Sequence, residues 1–387
     1  MKKRRFLSLL LALALTVALV SPAFAATSRP GAFKNVIFMI GDGMGENHLL
    51  LAEAEGRDLY MTANADCRGQ SKTRSLSDKV TDSAAGATAL SCGVRTTNRY
   101  VGTYSIDPSG VIIRPKNVTE IAMAHGMKTG VVTTDSTAGA TPAGYSAHVK
   151  DRDMAAEITE QQLSSGIDLI WGATAGQTDR ESVEAAGLVY VETRTELEAL
   201  EPGKKSFAQF SGSFWRPQLP ESDNLPTLGQ MTAKAIELLD ADNENGFFLM
   251  VEGAHIDKNS HATAEGNDYP DKHTRVVDAV LAFDDAIRTA VEFARADGET
   301  LVVVTADHET GDLYMDNGVY TFHSGSHTGA NVPLLVYGCT DFVKNGQAVA
   351  NRTIPARVAE KLGWRGAELP AATLGTFFEK LRKFFSR

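Results

Sequence analysis

The stretch Asn35-Val36-Ile37-Phe38-Met39-Ile40-Gly41-Asp42-Gly43-Met44-Gly45 joins an unbroken apolar run to a glycine-rich turn that opens on a carboxylate. A half-buried strand would alternate apolar and polar residues. An unbroken run bounded by turn residues reads as a strand covered on both faces, as in a parallel sheet between helical layers. Comparable runs recur at 129–133, 167–171, 246–251, 301–305 and 332–337. Helical patterns lie between them, such as 276–294, where Val277, Val280, Leu281, Asp284 and Ile287 follow helical spacing. The predicted fold is α/β, a three-layer sandwich with a large, mainly parallel central sheet flanked by helices. Residues 175–225 carry the least pattern and read as a peripheral elaboration of the same domain.

The chain has 387 residues, and its first 25 stand apart. Lys2, Lys3, Arg4 and Arg5 precede an apolar run from Phe6 to Val20, and Ala23-Phe24-Ala25 follows as a small-x-small cleavage signal. This is the pattern of a secretory signal peptide, so residues 26–387 are expected as one exported domain, periplasmic or extracellular. Losing the four basic residues takes the formal net charge from −10 to −14. So acidic a protein argues against a nucleic-acid-binding face, which needs a basic surface. Cys67, Cys92 and Cys339 are too few for a disulfide framework, with a single Cys67–Cys92 bridge the alternative to core packing. At the end of the chain Leu374, Phe377, Phe378, Leu381, Phe384 and Phe385 make an apolar stripe among Lys380, Arg382, Lys383 and Arg387. Residues 371–387 therefore read as an amphipathic helix that either lies on an anionic membrane surface or packs its phenylalanines onto the protein.

Three strand ends deliver acids to one edge: Asp42, Glu252, and Asp307 followed by His308. Ligands bind outside the carboxyl ends of strands in open α/β sheets, and clustered carboxylates repel unless a cation compensates them. Asp257 and His261, four apart, share a helical face suited to one metal, and His327 lies in a Gly/Ser loop. Mixed His/Asp ligation favours zinc; oxygen ligation favours magnesium. The segment Thr81-Asp82-Ser83-Ala84-Ala85-Gly86-Ala87-Thr88-Ala89-Leu90 puts a serine hydroxyl in the first turn of a helix of small residues, where unpaired N–H groups favour an anion. Taken alone it reads first as a Ser/Asp N-cap on a buried alanine-rich helix.

Six motifs in order carry a resemblance to the alkaline phosphatases along essentially the whole mature length: Ile40-Gly-Asp-Gly-Met-Gly45, Thr81-Asp-Ser-Ala-Ala-Gly-Ala-Thr88, Ala140-Thr-Pro-Ala143, Val251-Glu-Gly-Ala-His-Ile-Asp-Lys258 with His261, Thr305-Ala-Asp-His308, and His327-Thr-Gly329. The resemblance implies a metal-dependent phosphomonoesterase acting on small phosphate monoesters at alkaline pH. It implies Ser83 as a nucleophile that becomes phosphoserine. It implies two Zn2+ ions, one on Asp257, His261 and His327 and one on Asp42, Asp307 and His308. It also implies one Mg2+ on Asp42, Thr141 and Glu252. Arg152, otherwise a surface residue of a charged turn, falls where the family has its phosphate-binding arginine.

The chain departs from the family in two ways, at Gly139 and in the length between His308 and His327. Gly139, two before Thr141, stands where relatives carry an acid or histidine near the magnesium, so an altered third metal site is expected. Lys258 stands where some bacterial relatives have a lysine paired with that acid, so it is expected unpaired, leaning toward the bound phosphate or a water. Only 18 residues separate His308 from His327, where relatives insert a larger flap that contributes to dimer contact. A compact, open site follows, with monomer and homodimer both open. A phosphodiesterase of the same superfamily is the main alternative. The sulfatase pattern Cys/Ser-x-Pro-x-Arg is absent around Ser83, and a non-catalytic metal- or phosphate-binding protein would have no use for that serine.

Overall fold

The computed structural model describes residues 33–105, 111–212, 214–261 and 271–364. The predicted signal peptide (1–25) and terminal amphipathic helix (371–387) lie outside the described residues.

Alternation along each apolar strand explains the layers. In Asn35–Gly41, Ile37 and Met39 enter one hydrophobic cluster, while Val36, Phe38 and Ile40 enter another. Phe247–Gly253 divides in the same way: Phe247, Leu249 and Val251 against Phe248 and Met250. Side chains on a strand point to opposite faces, so an uninterrupted apolar run supplies two cores at once. The first core is closed by the helices Leu228–Asp240 and Lys272–Asp297, the second by Val118–Ala124 and Ile354–Lys361. Lys272–Asp297 is bounded by an Asp271 N-cap and by Gly298 at φ +75°. It turns Val277, Val280, Phe283 and Ile287 onto the sheet. Its buried Asp284 accepts the N–H groups of Tyr60 and Met61 at 2.8 and 2.7 Å, pinning a neighbouring helix start.

The sheet has ten strands in the order Ala348–Ala350, Cys67–Lys72, Val332–Tyr337, Thr300–Thr305, Asn35–Gly41, Phe247–Gly253, Lys128–Ser136, Leu169–Ala173, Ser206–Phe210 and Val189–Val191. Val332–Tyr337 pairs antiparallel with both neighbours, and the other pairs are parallel. The α/β sandwich with a mainly parallel sheet is the observed architecture.

Four strands of this ten-stranded sheet escaped the sequence pattern. Cys67–Lys72 buries only Cys67, Gly69 and Ser71, which are too small and polar to register as an apolar face. Ala348–Ala350 and Val189–Val191 are three residues long, and Ser206–Phe210 buries the polar Gln209 in mid-strand. The featureless segment 175–225 thus extends the main sheet by two strands. Cys67, Cys92 and Cys339 are buried and free, so the Cys67–Cys92 bridge is not formed.

Candidate active site and metal centre

Four adjacent central strands, Thr300–Thr305, Asn35–Gly41, Phe247–Gly253 and Lys128–Ser136, carry the acidic residues at their carboxyl ends. Asp42 follows the second of these and Asp307 the first; Glu252 lies in the third and Asp135 in the fourth. The helix Ser83–Cys92 approaches this edge with every residue buried. Asp82 is its N-cap, its Oδ1 accepting from Ala85 N at 2.9 Å, which leaves the Ser83 hydroxyl free of capping duty. Ser83 Oγ lies 3.2 Å from His308 Nε2. Close approach requires the small residues: a Cβ on Gly86 would stand 2.9 Å from Asp307 Cβ.

The histidines converge through their Nε2 atoms. His261 Nδ1 is 2.6 Å from Gly325 O, His327 Nδ1 is 3.1 Å from Thr81 O, and His308 Nδ1 is 3.2 Å from Thr310 Oγ1. With Nδ1–H donating outward, each Nε2 lone pair points inward, the tautomer a metal ligand needs. His261 Nε2 is 2.9 Å from His327 Nε2 and 3.2 Å from Asp257 Oδ1; His327 Nε2 is 3.4 Å from the same carboxylate oxygen. Beside this set, Asp42, Asp307 and His308 offer one atom each within 4.8 Å, as do Asp257, His308 and His327. The rings of His308 and His327 stack at 3.5 Å, so the two sets abut.

The electrostatics ask for cations. Burial first, then Asp307, Asp257 and Glu252, pushes the Asp42 carboxyl well above its ordinary range. Burial, then Asp135, raises Glu252 to about 8. Asp257 goes the other way: burial opposes its charge, but without a metal the protonated rings of His261 and His327, which then donate through Nε2, and the Thr310 hydroxyl hold it well below the usual carboxylate range. Burial depresses His308. Asp42 Oδ1, Asp307 Oδ2, Thr141 Oγ1 and Glu252 Oε1 are buried without a hydrogen-bond partner among the described residues. Orphaned buried oxygens in a folded protein call for a ligand. The donor chemistry fits two borderline-soft ions on His/Asp sets and one hard ion on Asp42, Thr141 and Glu252.

A profile described as alkaline phosphatase matches residues 33–171 and 171–332. The chain belongs to the alkaline phosphatase family. Alkaline phosphatase H of Pseudomonas aeruginosa (strain UCBPP-PA14) is 35% identical over 343 residues, covering 71% of this chain and 69% of that protein. Streptomycin-6-phosphate phosphatase of Streptomyces griseus is 33% identical over 367 residues, covering 76% and 78%. The structure of the alkaline phosphatase from the Antarctic bacterium TAB5 superposes with a TM-score of 0.70 at 29% identity, covering 87% of this chain and 100% of that one. As a family member, this chain is a metal-dependent phosphatase.

One expectation for this alkaline phosphatase needs correction. Lys258 is not unpaired: its Nζ makes an ion pair with Asp135, whose side chain is 21% exposed. The pairing acid comes from a strand end four residues before Gly139. The residues around the site that carried no sequence signal are mostly supports. Thr310 Oγ1 donates to Asp257 Oδ1 at 2.5 Å while facing His308 Nδ1, and Thr133 Oγ1 donates to Glu252. Only Asp82, next to Ser83 in its motif, offered a clue.

Arg152 meets Asp82 Oδ2 through Nη1 at 3.2 Å, which sets its guanidinium beside the start of the Ser83 helix. Arg99 braces that arrangement. Its N–H donates to Asp82 Oδ2 at 3.0 Å, and its carbonyl accepts from Arg152 N at 2.9 Å. Its guanidinium grips Asp151 at 2.7 and 3.1 Å and also Asp153, the two residues flanking Arg152. Arg99 has φ +76°, which glycine adopts freely. Arg99→Gly is therefore expected to keep the backbone brace but free the Arg152 loop. The expected result is a KM for a phosphate monoester raised about 3- to 10-fold with kcat nearly unchanged. Stability should shift by less than about 1 kcal/mol, because the lost ion pairs are exposed. Steady-state kinetics and a thermal melt check both.

Proposed function

We propose that this chain is an exported phosphomonoesterase, hydrolysing phosphate monoesters to an alcohol and inorganic phosphate through a phosphoserine on Ser83, fastest at alkaline pH. The observation that carries the reading is Ser83 itself: an uncapped hydroxyl on a helix start, between two His/Asp sets and Arg152. Two Zn2+ ions held by Asp257, His261 and His327 and by Asp42, Asp307 and His308, with Mg2+ at Asp42, Thr141 and Glu252, would supply Lewis-acid stabilisation of the serine alkoxide and the leaving oxygen. The chain's own groups do the positioning. Helix N–H groups and the Arg152 guanidinium face the non-bridging phosphoryl oxygens, the latter in bidentate fashion, while Asp82 fixes the guanidinium plane. Ser83 Oγ bonds to phosphorus as the ester P–O bond breaks and the alcohol departs with a proton. Water then bonds to phosphorus as the Ser83 P–O bond breaks, releasing phosphate. Both nucleophiles act deprotonated, which favours high pH.

Arg152 favours monoesters, whose terminal phosphate carries two charges against one for a diester. Similarity to an enzyme named for streptomycin 6-phosphate supports the same class. The leader features of residues 2–25 support export. Among the described residues no helix is long and apolar enough to cross a membrane.

The test compares p-nitrophenyl phosphate with bis-p-nitrophenyl phosphate on metal-assayed protein. The expected result is a kcat/KM at least 100-fold higher for the monoester. Arg152→Ala should lower the monoester value about 10- to 100-fold, as loss of charge-assisted hydrogen bonds does, and the diester value less. A preference for the diester would overturn the reading in favour of a phosphodiesterase.

A further inference from the structure

The strand Lys128–Ser136 loses its regular register at its carboxyl end. Val132 pairs with Trp171 and Ser136 with Ala173, so four positions on one strand span two on the other. Bulges re-aim side chains, and here the irregular segment carries Thr133, Thr134 and Asp135. Gly172 on the partner strand leaves room for it, since a Cβ there would lie 2.7 Å from Asp135 O.

Two links place Asp135 at the oxygen-rich corner of the site. Thr133 Oγ1 accepts the Asp135 N–H at 2.8 Å and donates to Glu252, so one hydroxyl joins the two acids. On the other side a Cβ built on Gly139 would lie 2.5 Å from Asp135 Oδ2 and 3.0 Å from its Cγ. A side chain at 139 and the carboxylate of Asp135 would occupy the same space, two residues from Thr141. Thr141 Oγ1 and Glu252 Oε1 are the buried oxygens there without a hydrogen-bond partner among the described residues.

We infer that Asp135 completes the third metal site in place of a side chain at 139, with Lys258 as its counter-ion and not a phosphate ligand. The bare Gly139 is then the complement of Asp135, not the mark of a lost site. The inference rests on the metallophosphatase reading above and specifies its Mg2+ site. Asp135 shapes the affinity for the ion, either through its carboxylate oxygen or through water it orders; supporting carboxylates of this kind carry 10- to 100-fold in metal affinity.

The experiment titrates Mg2+ into full-length, zinc-loaded protein by calorimetry, with bound zinc counted by elemental analysis. Wild type is expected to bind one Mg2+ per chain beyond its zinc, and Asp135→Asn to bind it 10- to 100-fold more weakly with zinc content unchanged. Gly139→Asp alone should also weaken binding, because the new side chain collides with Asp135. The double variant Asp135→Ser/Gly139→Asp should recover most of the affinity, which also guards against a folding defect in Asp135→Asn. Equal Mg2+ affinity in wild type and Asp135→Asn would overturn the inference, as would no Mg2+ binding by wild type. Zinc content and Ser83-dependent turnover report separately on the phosphatase reading, so one can fail while the other stands.

Discussion

Ser83→Ala is expected to lower kcat for p-nitrophenyl phosphate by about 10^3-fold or more, while leaving the fold and the metal complement intact. The size of the loss follows from removing the atom that takes the phosphoryl group; nucleophile deletions commonly cost this much, residual rate coming from the remaining electrostatic machinery. The selectivity of the loss follows from local structure. The helix Ser83–Cys92 is capped by Asp82, not by Ser83, and alanine is the best helix former, so the start of the helix survives. The Ser83 hydroxyl hydrogen bond runs to His308, whose Nδ1 remains held by Thr310. Stability should therefore change by less than about 1 kcal/mol. Acid quenching with labelled substrate gives a second readout: wild type traps phosphate on protein and Ser83→Ala traps none. Turnover retained in Ser83→Ala would move the nucleophile elsewhere.

Stripping the metals should be as damaging to activity, a loss of at least 10^3-fold, and should leave a pH signature in stability. In the metal-free protein burial and neighbouring acids raise Asp42, and raise Glu252 to about 8. The folded chain keeps protons there that the unfolded chain has released, so unfolding sheds protons and stability falls as pH rises toward 8. His261, raised chiefly by Asp257, and His327, raised by Asp257 against its burial, add in the same direction above the ordinary histidine value of 6.5. Below that value His48 and His255, depressed by burial to about 4 and about 3, pull the opposite way. The clean window is pH 6.5 to 8, with a loss on the order of 2 kcal/mol from Glu252 alone. Melts of chelated protein should show Tm falling across that window, and metal-loaded protein should not. Parallel curves for the two forms would show that the acids are not where the ions bind.

How much of this was legible in the sequence depended on what each residue needs. Strands buried on both faces announce themselves by apolar runs, so the centre of the sheet and its acidic edge were readable from 35–45, 246–252 and 301–308. Cys67–Lys72 was not, because its inward positions hold only Cys67, Gly69 and Ser71, and Ser206–Phe210 was not, because Ser206 and Gln209 break its apolar run. Among site residues, those in compact motifs stood out. Asp257 and His261 lie on one helical turn, and their contact at 3.2 Å follows from spacing alone. Asp135 did not stand out. Its place depends on a register slip in one strand and on the missing side chain of Gly139, and neither leaves a periodic trace. Arg99 likewise acts through backbone bonds and a positive φ, which a residue letter does not disclose.

The two acids that flank His308 come from opposite ends of the chain. Gly43 N donates to Asp307 Oδ1 at 3.2 Å across 264 positions, and the two strands that present Asp42 and Asp307 are neighbours at the centre of the sheet. No fragment made early in synthesis can bring Asp42, Asp307 and His308 together. Contacts of such long sequence separation form slowly and late in folding. On the proposed ligand assignment, uptake of the ion on Asp42, Asp307 and His308 is thus a clock for completion: that ion bound means that the strand Thr300–Thr305 has found its place beside Asn35–Gly41.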